Sequence, residues 1–217
     1  MSSVLNRVYW IGGPPDAGKS STALALRDLL AEAVSVYRQD AHERDHIARA
    51  DANRFPLHAT MRQRLASDPG GFVEQWASEA PDVLAANARA TWIERIPLVL
   101  EDLTALPGDG IILAEGPGFF PSAIRPLLPD TRHAAWLLPT EDFKRASHTR
   151  RDKTAFREQT SDPDRAVANH IARDLLLAET YRAELAPGDL WLEVDGSRSV
   201  EETARALARG FGLSPTR

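Results

Sequence analysis

Short runs of consecutive apolar residues recur along the chain, and between them apolar residues return every three or four positions. Val8-Tyr9-Trp10-Ile11 and Ile111-Ile112-Leu113-Ala114 are runs of the first kind. Continuous apolar runs bounded by turn residues predict strands buried on both faces. Five strands are predicted: Arg7 to Gly12, Val34 to Gln39, Gly110 to Glu115, Ala134 to Leu138, and Leu190 to Asp195. The stretch Thr22 to Leu30 reads as a helix. Ala80 to Leu106 has helical spacing (Val83, Leu84, Ala88, Trp92, Ile93) broken near Pro97. Ser199 to Phe211 reads as an amphipathic helix, with Ser199 and Glu202 spaced as a capping box. Strands alternating with helices predict a parallel sheet covered on both faces. Residues 41–109 hold no strand and are punctuated by Pro56, Pro69-Gly70-Gly71 and Pro81, so they read as a helical insertion between strands two and three. The turn Pro107-Gly108-Asp109-Gly110 closes it. Arg145 to Arg165, rich in Arg and Asp, reads as a mobile polar excursion. Four tryptophans, Trp76, Trp92, Trp136 and Trp191, are expected in or beside the core.

Composition narrows the classes. The 217 residues are 43% hydrophobic and 26% charged, ordinary for a globular protein able to bury a sizeable core. The net charge of −5 argues against a general nucleic-acid or anionic-membrane surface. No cysteine is present, which excludes disulfides, thiolate metal sites and cysteine nucleophiles. No basic segment followed by an apolar run opens the chain, and no run reaches the length of a membrane span. The expectation is a cytoplasmic protein that binds neither nucleic acid nor membrane. A homodimer is left open.

Gly13-Pro14-Pro15-Asp16-Ala17-Gly18-Lys19-Ser20 fits G-x-x-x-x-G-K-[ST] at every fixed position, between a predicted strand and a predicted helix. Backbone N–H groups of such a loop and the helix dipole favour an anion there. Pro14 and Pro15 carry no N–H, so residues 16 to 20 must supply the cradle. Lys19 is the residue expected on the outer phosphates, and the Ser20 hydroxyl the one expected on Mg²⁺. Gly13, Asp16, Ala17, Gly18, Lys19, Ser20 and Ser21 are thus the candidate nucleotide-binding residues of this loop. Open parallel sheets bind ligands at the carboxyl ends of their strands. The second strand ends at Asp40, the third in Glu115-Gly116-Pro117-Gly118, and the fifth in Asp195-Gly196-Ser197.

In these motifs and their order the chain resembles the P-loop kinases of the nucleoside-monophosphate-kinase-like group. The likeness is to their small-molecule branch, which includes shikimate kinase and chloramphenicol phosphotransferase. The resemblance covers nearly the whole chain, though only the glycine loop is specific on its own. It implies a three-layer P-loop NTPase fold with a five-stranded parallel sheet. Residues 1–217 would form a single domain, with residues 41–109 as acceptor-binding insertion and residues 145–165 as lid. It implies ATP and Mg²⁺ as cofactors and a small-molecule hydroxyl as acceptor. Asp40 matches the base or orienter of that hydroxyl, and Glu115 the acidic residue that, with Ser20, orders Mg²⁺. Arg150, Arg151 and Arg157 match lid arginines, with Arg173 on the helix that follows. Of these, Arg150 and Arg157 would join Lys19 and Asp40 in catalysis, and Arg151 would hold nucleotide. Asp195, Gly196 and Ser197 match the border of the adenine. No guanine-selective N-K-x-D signature is present, so adenine is the default base. Two features depart from the pattern. Asp16 puts a carboxylate inside the loop, where it is expected to face away from the phosphates or meet a lid arginine. No Asp stands at the third strand for direct contact with the metal.

Blander and competing readings exist for several of these residues. Asp40 can cap a helix beginning at Ala41, and Asp195 can shape a turn. The arginines can be a solvated face. A nucleotide-binding regulatory NTPase without an acceptor would share the same loop. His42-Glu43-Arg44-Asp45-His46 fits H-E-x-x-H, the helix of zinc hydrolases. Arg49 and Ala52 stand where the extended motif needs glycine and a third histidine, so the extended form fails.

Overall fold

The computed structural model describes residues 2–30, 33–150 and 159–214. A short helix α1 (Ser2–Leu5) precedes β1 (Val8–Gly12), and α2 (Lys19–Leu30) leads to β2 (Val34–Arg38). A 3₁₀ turn (Gln39–His42) then opens the insertion, which is helical throughout: α3 (Glu43–Arg49), α4 (Pro56–Ser67), α5 (Pro69–Ser78), α6 (Pro81–Glu94) and α7 (Ile96–Ala105). The break expected near Pro97 falls at Arg95, between α6 and α7, with the proline in the first turn of α7. The chain continues through β3 (Ile111–Gly116), α8 (Pro121–Ile124), β4 (Ala134–Pro139), α9 (Glu141–Arg150), α10 (Pro163–Glu184), β5 (Leu190–Val194) and α11 (Val200–Phe211).

The five predicted strands all form, within a residue or two of their expected ends. They make one parallel sheet in the order β2-β3-β1-β4-β5. Alternate residues of each strand point to opposite faces. Val8, Trp10, Ile112, Ala114, Trp136 and Leu138 meet Val99 and Leu103 of α7 and Leu177 and Tyr181 of α10. Ile11, Leu113, Ala135 and Leu137 meet Leu26 of α2 and Leu207 and Phe211 of α11. Helices therefore cover both faces, which makes a three-layer α/β fold. The edge strand β5 is only half-buried, and there Trp191 is 43% exposed. The capping box of α11 forms as expected: the Glu202 N–H donates to Ser199 Oγ and the Ser199 N–H to Glu202 Oε2.

Residues 145–150 and 163–165, expected in a mobile excursion, continue α9 and open α10. Polar composition misled here because α9 buries polar side chains at helical spacing: Lys144, Ser147 and His148 are all inaccessible. Arg151 and Arg157 lie outside the described residues, as does the side chain of Arg150.

Candidate phosphate-binding site

Strand register assembles the site. Gly12 of β1 is opposite Gly116 of β3, Ile11 is opposite Glu115, and Arg38 of β2 is also opposite Glu115. Three strand ends thus converge where the glycine loop leaves β1. Gly13 adopts φ +140°, and a Cβ there would sit 2.2 Å from the Leu137 carbonyl oxygen, so the loop can begin only with glycine. Helix α2 starts at Lys19, and its first-turn N–H groups have no partner within the helix. They border a cavity lined by Pro15, Asp16, Gly18, Lys19, Ser20, Ser21, Asp40 and Glu115.

Each side chain there has a definite state. Lys19 is 7% exposed and its Nζ donates to the Pro14 carbonyl at 2.8 Å. Burial pushes its pKa below the ordinary lysine value, while Glu115, Asp40, Asp16 and Asp174 pull it back up. Ser20 Oγ donates to Glu115 Oε1 at 2.7 Å, and Arg38 Nε donates to the same oxygen at 3.3 Å. Asp40 is exposed, and its side chain makes no hydrogen bond or ion pair among the described residues. The capping reading fails for it, because the 3₁₀ turn begins at Gln39 and α3 at Glu43, with Arg38 and His42 at the cap positions. Asp40 instead stands within the turn, on the rim of the cavity.

Asp16 is held by its backbone conformation and by a partner on another helix. It adopts φ 66° and its side chain is 1% exposed. Its carboxylate is not turned out to solvent: it accepts from the fully buried Lys144 of α9 at 2.6 Å. Lys144 also binds Asp174 of α10. Burial alone would raise the Asp174 pKa, but Arg173, His170 and Lys144 hold it well below the carboxylate range.

The glycines after Glu115 have a packing reason. A Cβ on Gly116 or Gly118 would fall within 2.4 or 2.5 Å of the Gln39 amide. That amide is wholly buried and accepts from the Gly118 N–H at 2.8 Å. The backbone on its other side is held by Arg95. This arginine is 0% exposed, and its Nη2 donates to the Gln39 carbonyl at 2.5 Å, its Nε to His46 Nδ1 at 3.1 Å and its Nη1 to Glu43 at 3.3 Å. Since arginine only donates, His46 Nδ1 must be the bare nitrogen and Nε2–H donates to Asp102 at 2.7 Å. Asp102 also accepts from Tyr37 Oη at 2.7 Å and from Arg49. The H-E-x-x-H stretch is therefore engaged in structure: both His46 nitrogens are occupied, His42 stacks on Tyr37 at 4.6 Å, and Glu43 faces Arg95. That arrangement leaves no histidine pair to hold zinc.

Asp195, Gly196, Ser197 and Arg173 are not among the residues that line this cavity. Asp195 accepts from the backbone and hydroxyl of Ser197, closing a turn in which Gly196 has φ +88°. Arg173 is 6% exposed, paired with Asp174 and lying over Trp76 at 4.8 Å and Trp92 at 5.7 Å. Sequence reasoning missed Arg38, Arg95 and Lys144. For Lys144 a signal existed, since it occupies with Ser147 and His148 the inward positions of α9, where apolar residues would be expected.

Solved structures that resemble the chain over nearly its whole length include the following two. The protein TT1252 from Thermus thermophilus has a TM-score of 0.51 and 18% identity, over 95% of this chain and 97% of that one. The shikimate kinase from Acinetobacter baumannii, solved in complex with shikimate, has a TM-score of 0.49 and 15% identity, over 96% of each chain. At these identities the likeness concerns the fold alone. No protein-family model and no curated protein sequence matches the chain. Strand order, glycine loop and cavity together define a three-layer α/β fold with a glycine-loop cavity at the carboxyl ends of its strands. Among the described residues no helix is long and apolar enough to cross a membrane.

Proposed function

We propose that the chain is an ATP-dependent phosphotransferase that moves the γ-phosphate of ATP to a hydroxyl of a small-molecule acceptor. The observation that carries this reading is the single cavity lined by Lys19, Ser20, Glu115 and Asp40. A phosphate cradle and a carboxylate without a partner among the described residues thus face the same space. Phosphoryl transfer asks little covalent chemistry of the protein, and catalysis rests on positioning and on stabilising charge. The first-turn N–H groups of α2 and the Lys19 ammonium bind and orient the triphosphate. Lys19 exchanges its hold on the Pro14 carbonyl for phosphate oxygens. Asp40 accepts or orients the proton of the acceptor hydroxyl.

The donor set suits Mg²⁺. Ser20 Oγ and Glu115 Oε1, with Asp40 beside them, are oxygen ligands of the hard kind that this ion takes. Ser20 and Glu115 would hold it, and it would neutralise charge on the phosphates. Within residues 145–165, the Arg150 side chain, Arg151 and Arg157 remain proposed lid cations. Residues 41–109 are the proposed source of the acceptor pocket, and Asp195 to Ser197 the proposed adenine border.

The test is ATP binding followed by acceptor-dependent ADP release across a pool of hydroxyl-bearing metabolites. Lys19→Ala should abolish ATP binding. Asp40→Asn should keep it and lose turnover at least a hundredfold, within the range ascribed to a positioned base. An Asp40→Asn chain that releases ADP at the wild-type rate, with acceptor present, would overturn the assignment.

A further inference from the structure

A carboxylate inside an anion-binding loop needs an explanation, and the structure supplies one on a helix that no motif marks. The Lys144 ammonium has three N–H donors and meets three oxygens: Asp16 Oδ2, Asp174 Oδ2 and, at 3.5 Å, the Pro15 carbonyl. Two of the three belong to the glycine loop, at adjacent residues. The third anchors the group to α10. Asp16 itself has the left-handed backbone conformation, which non-glycine residues keep only when their surroundings hold them there. All three side chains are sealed from solvent, with exposures of 0%, 1% and 0% for Lys144, Asp16 and Asp174. Water therefore does little to screen the Asp16 charge from an anion in the adjoining cavity.

We infer that Lys144 is a positioning residue of the nucleotide site, which cancels the charge of Asp16 and fixes the loop at residues 15 and 16. The inference rests on the reading that a triphosphate occupies the cradle. Without Lys144 the Asp16 carboxylate loses this cation and repels the phosphates more strongly, and the loop loses the tie that the ammonium makes between residues 15 and 16 and α10. The defect then lies in Asp16, not in the missing lysine as such, and removing the Asp16 charge cures it. Asn is the replacement of choice, because it matches Asp in shape and tolerates the left-handed conformation.

The experiment measures ATP affinity by calorimetry on the full chain, for the wild type, Lys144→Met, Asp16→Asn and the double variant. The expected result is a loss of tenfold or more in Lys144→Met and recovery to within about threefold of wild type in the double variant. Lys144→Met binding ATP as the wild type does would overturn the inference. So would a double variant as weak as Lys144→Met, since the lysine would then serve only the packing of α9 against α10. Should Lys144→Met fail to fold, the double variant decides: folded and binding ATP supports the inference, unfolded overturns it. A wild-type chain that binds no ATP overturns the phosphotransferase reading and this inference together. Intact wild-type binding with an unaffected Lys144→Met overturns the inference alone.

Discussion

Arg95 is the residue whose removal reports most directly on how the 3₁₀ turn carrying Asp40 is held. It is fully buried, and its guanidinium spans the Gln39 carbonyl at 2.5 Å, His46 Nδ1 at 3.1 Å and Glu43 at 3.3 Å. Arg95→Met fills most of the volume and deletes all three bonds. Hydrogen bonds from a charged donor contribute about 1.5–3 kcal/mol each, and the bond to the partly exposed Glu43 counts for much less. Against this stands the cost of keeping a guanidinium dry, which also pushes the Arg95 pKa down despite the nearby carboxylates. The balance is a loss of about 3 kcal/mol, with His46 Nδ1 left unpaired. For a domain of this size that lowers the melting temperature by about 6–12 °C. Arg95→Lys should recover only part of it, because one ammonium cannot span the fork of contacts. Thermal and urea melts measure stability, and acceptor-dependent ADP release measures the turn. Turnover should fall more than ATP affinity does, because Gln39 adjoins Asp40 and not the cradle. A variant melting within about 2 °C of wild type with unchanged turnover would refute the reasoning.

The same network sets a pH dependence. Burial, together with the Arg95 charge, holds the His46 pKa below its ordinary 6.5 against the pull of Asp102. The unfolded chain therefore takes up a proton that the folded chain refuses. This contribution to stability is complete above about pH 6.5 and is lost as pH falls from there towards the folded value, at up to about 1.4 kcal/mol per pH unit. Urea midpoints should drop between pH 7 and 5, and His46→Gln, whose amide can accept from Arg95 and donate to Asp102, should flatten the curve. An equal slope in both chains would remove His46 as the cause. In the loop, Gly13→Ala should unfold the chain or cost more than about 3 kcal/mol, read by circular dichroism, because its Cβ would lie 2.2 Å from a backbone oxygen at a φ that side chains avoid.

The parts of the molecule that were legible in sequence depend on neighbours in the chain. Val8 to Gly12 and Ile111 to Gly116 announced themselves as runs of consecutive apolar residues, because a central parallel strand is buried on both faces. The glycine loop was legible because its backbone demands glycines at fixed spacing. What sequence did not reveal are the buried cations. Lys144 finds Asp16 128 residues away and Asp174 30 residues away, and Arg95 meets His46 across 49 residues. For Arg95 no local periodicity marks the residue as buried, and for Lys144 the helical spacing marks burial but not the partner. The glycine pair after Glu115 was visible as a motif, but its reason, room for the Gln39 amide, exists only once β2 and β3 lie side by side. H-E-x-x-H failed as a metal motif for the same cause, since Arg95 and Asp102 claim both nitrogens of His46 from another helix.

The strand order has a consequence for how the chain comes into being. β1 emerges first, yet its neighbours in the sheet are β3 and β4, and its pairing begins with Val8 against Ile112. Ser20 waits 95 residues for Glu115. At synthesis rates of about 5–20 residues per second, the two halves of the cradle spend roughly 5–20 seconds apart on the ribosome. Throughout that interval Val8-Tyr9-Trp10-Ile11, the future centre of the sheet, is an unpaired apolar strand with no local partner. The five helices of residues 43–105 are made during the same interval and are rich in local contacts, which form fastest. A chain arrested before residue 116 thus carries the whole glycine loop but no site, and exposes the segment best suited to pair with another copy of itself.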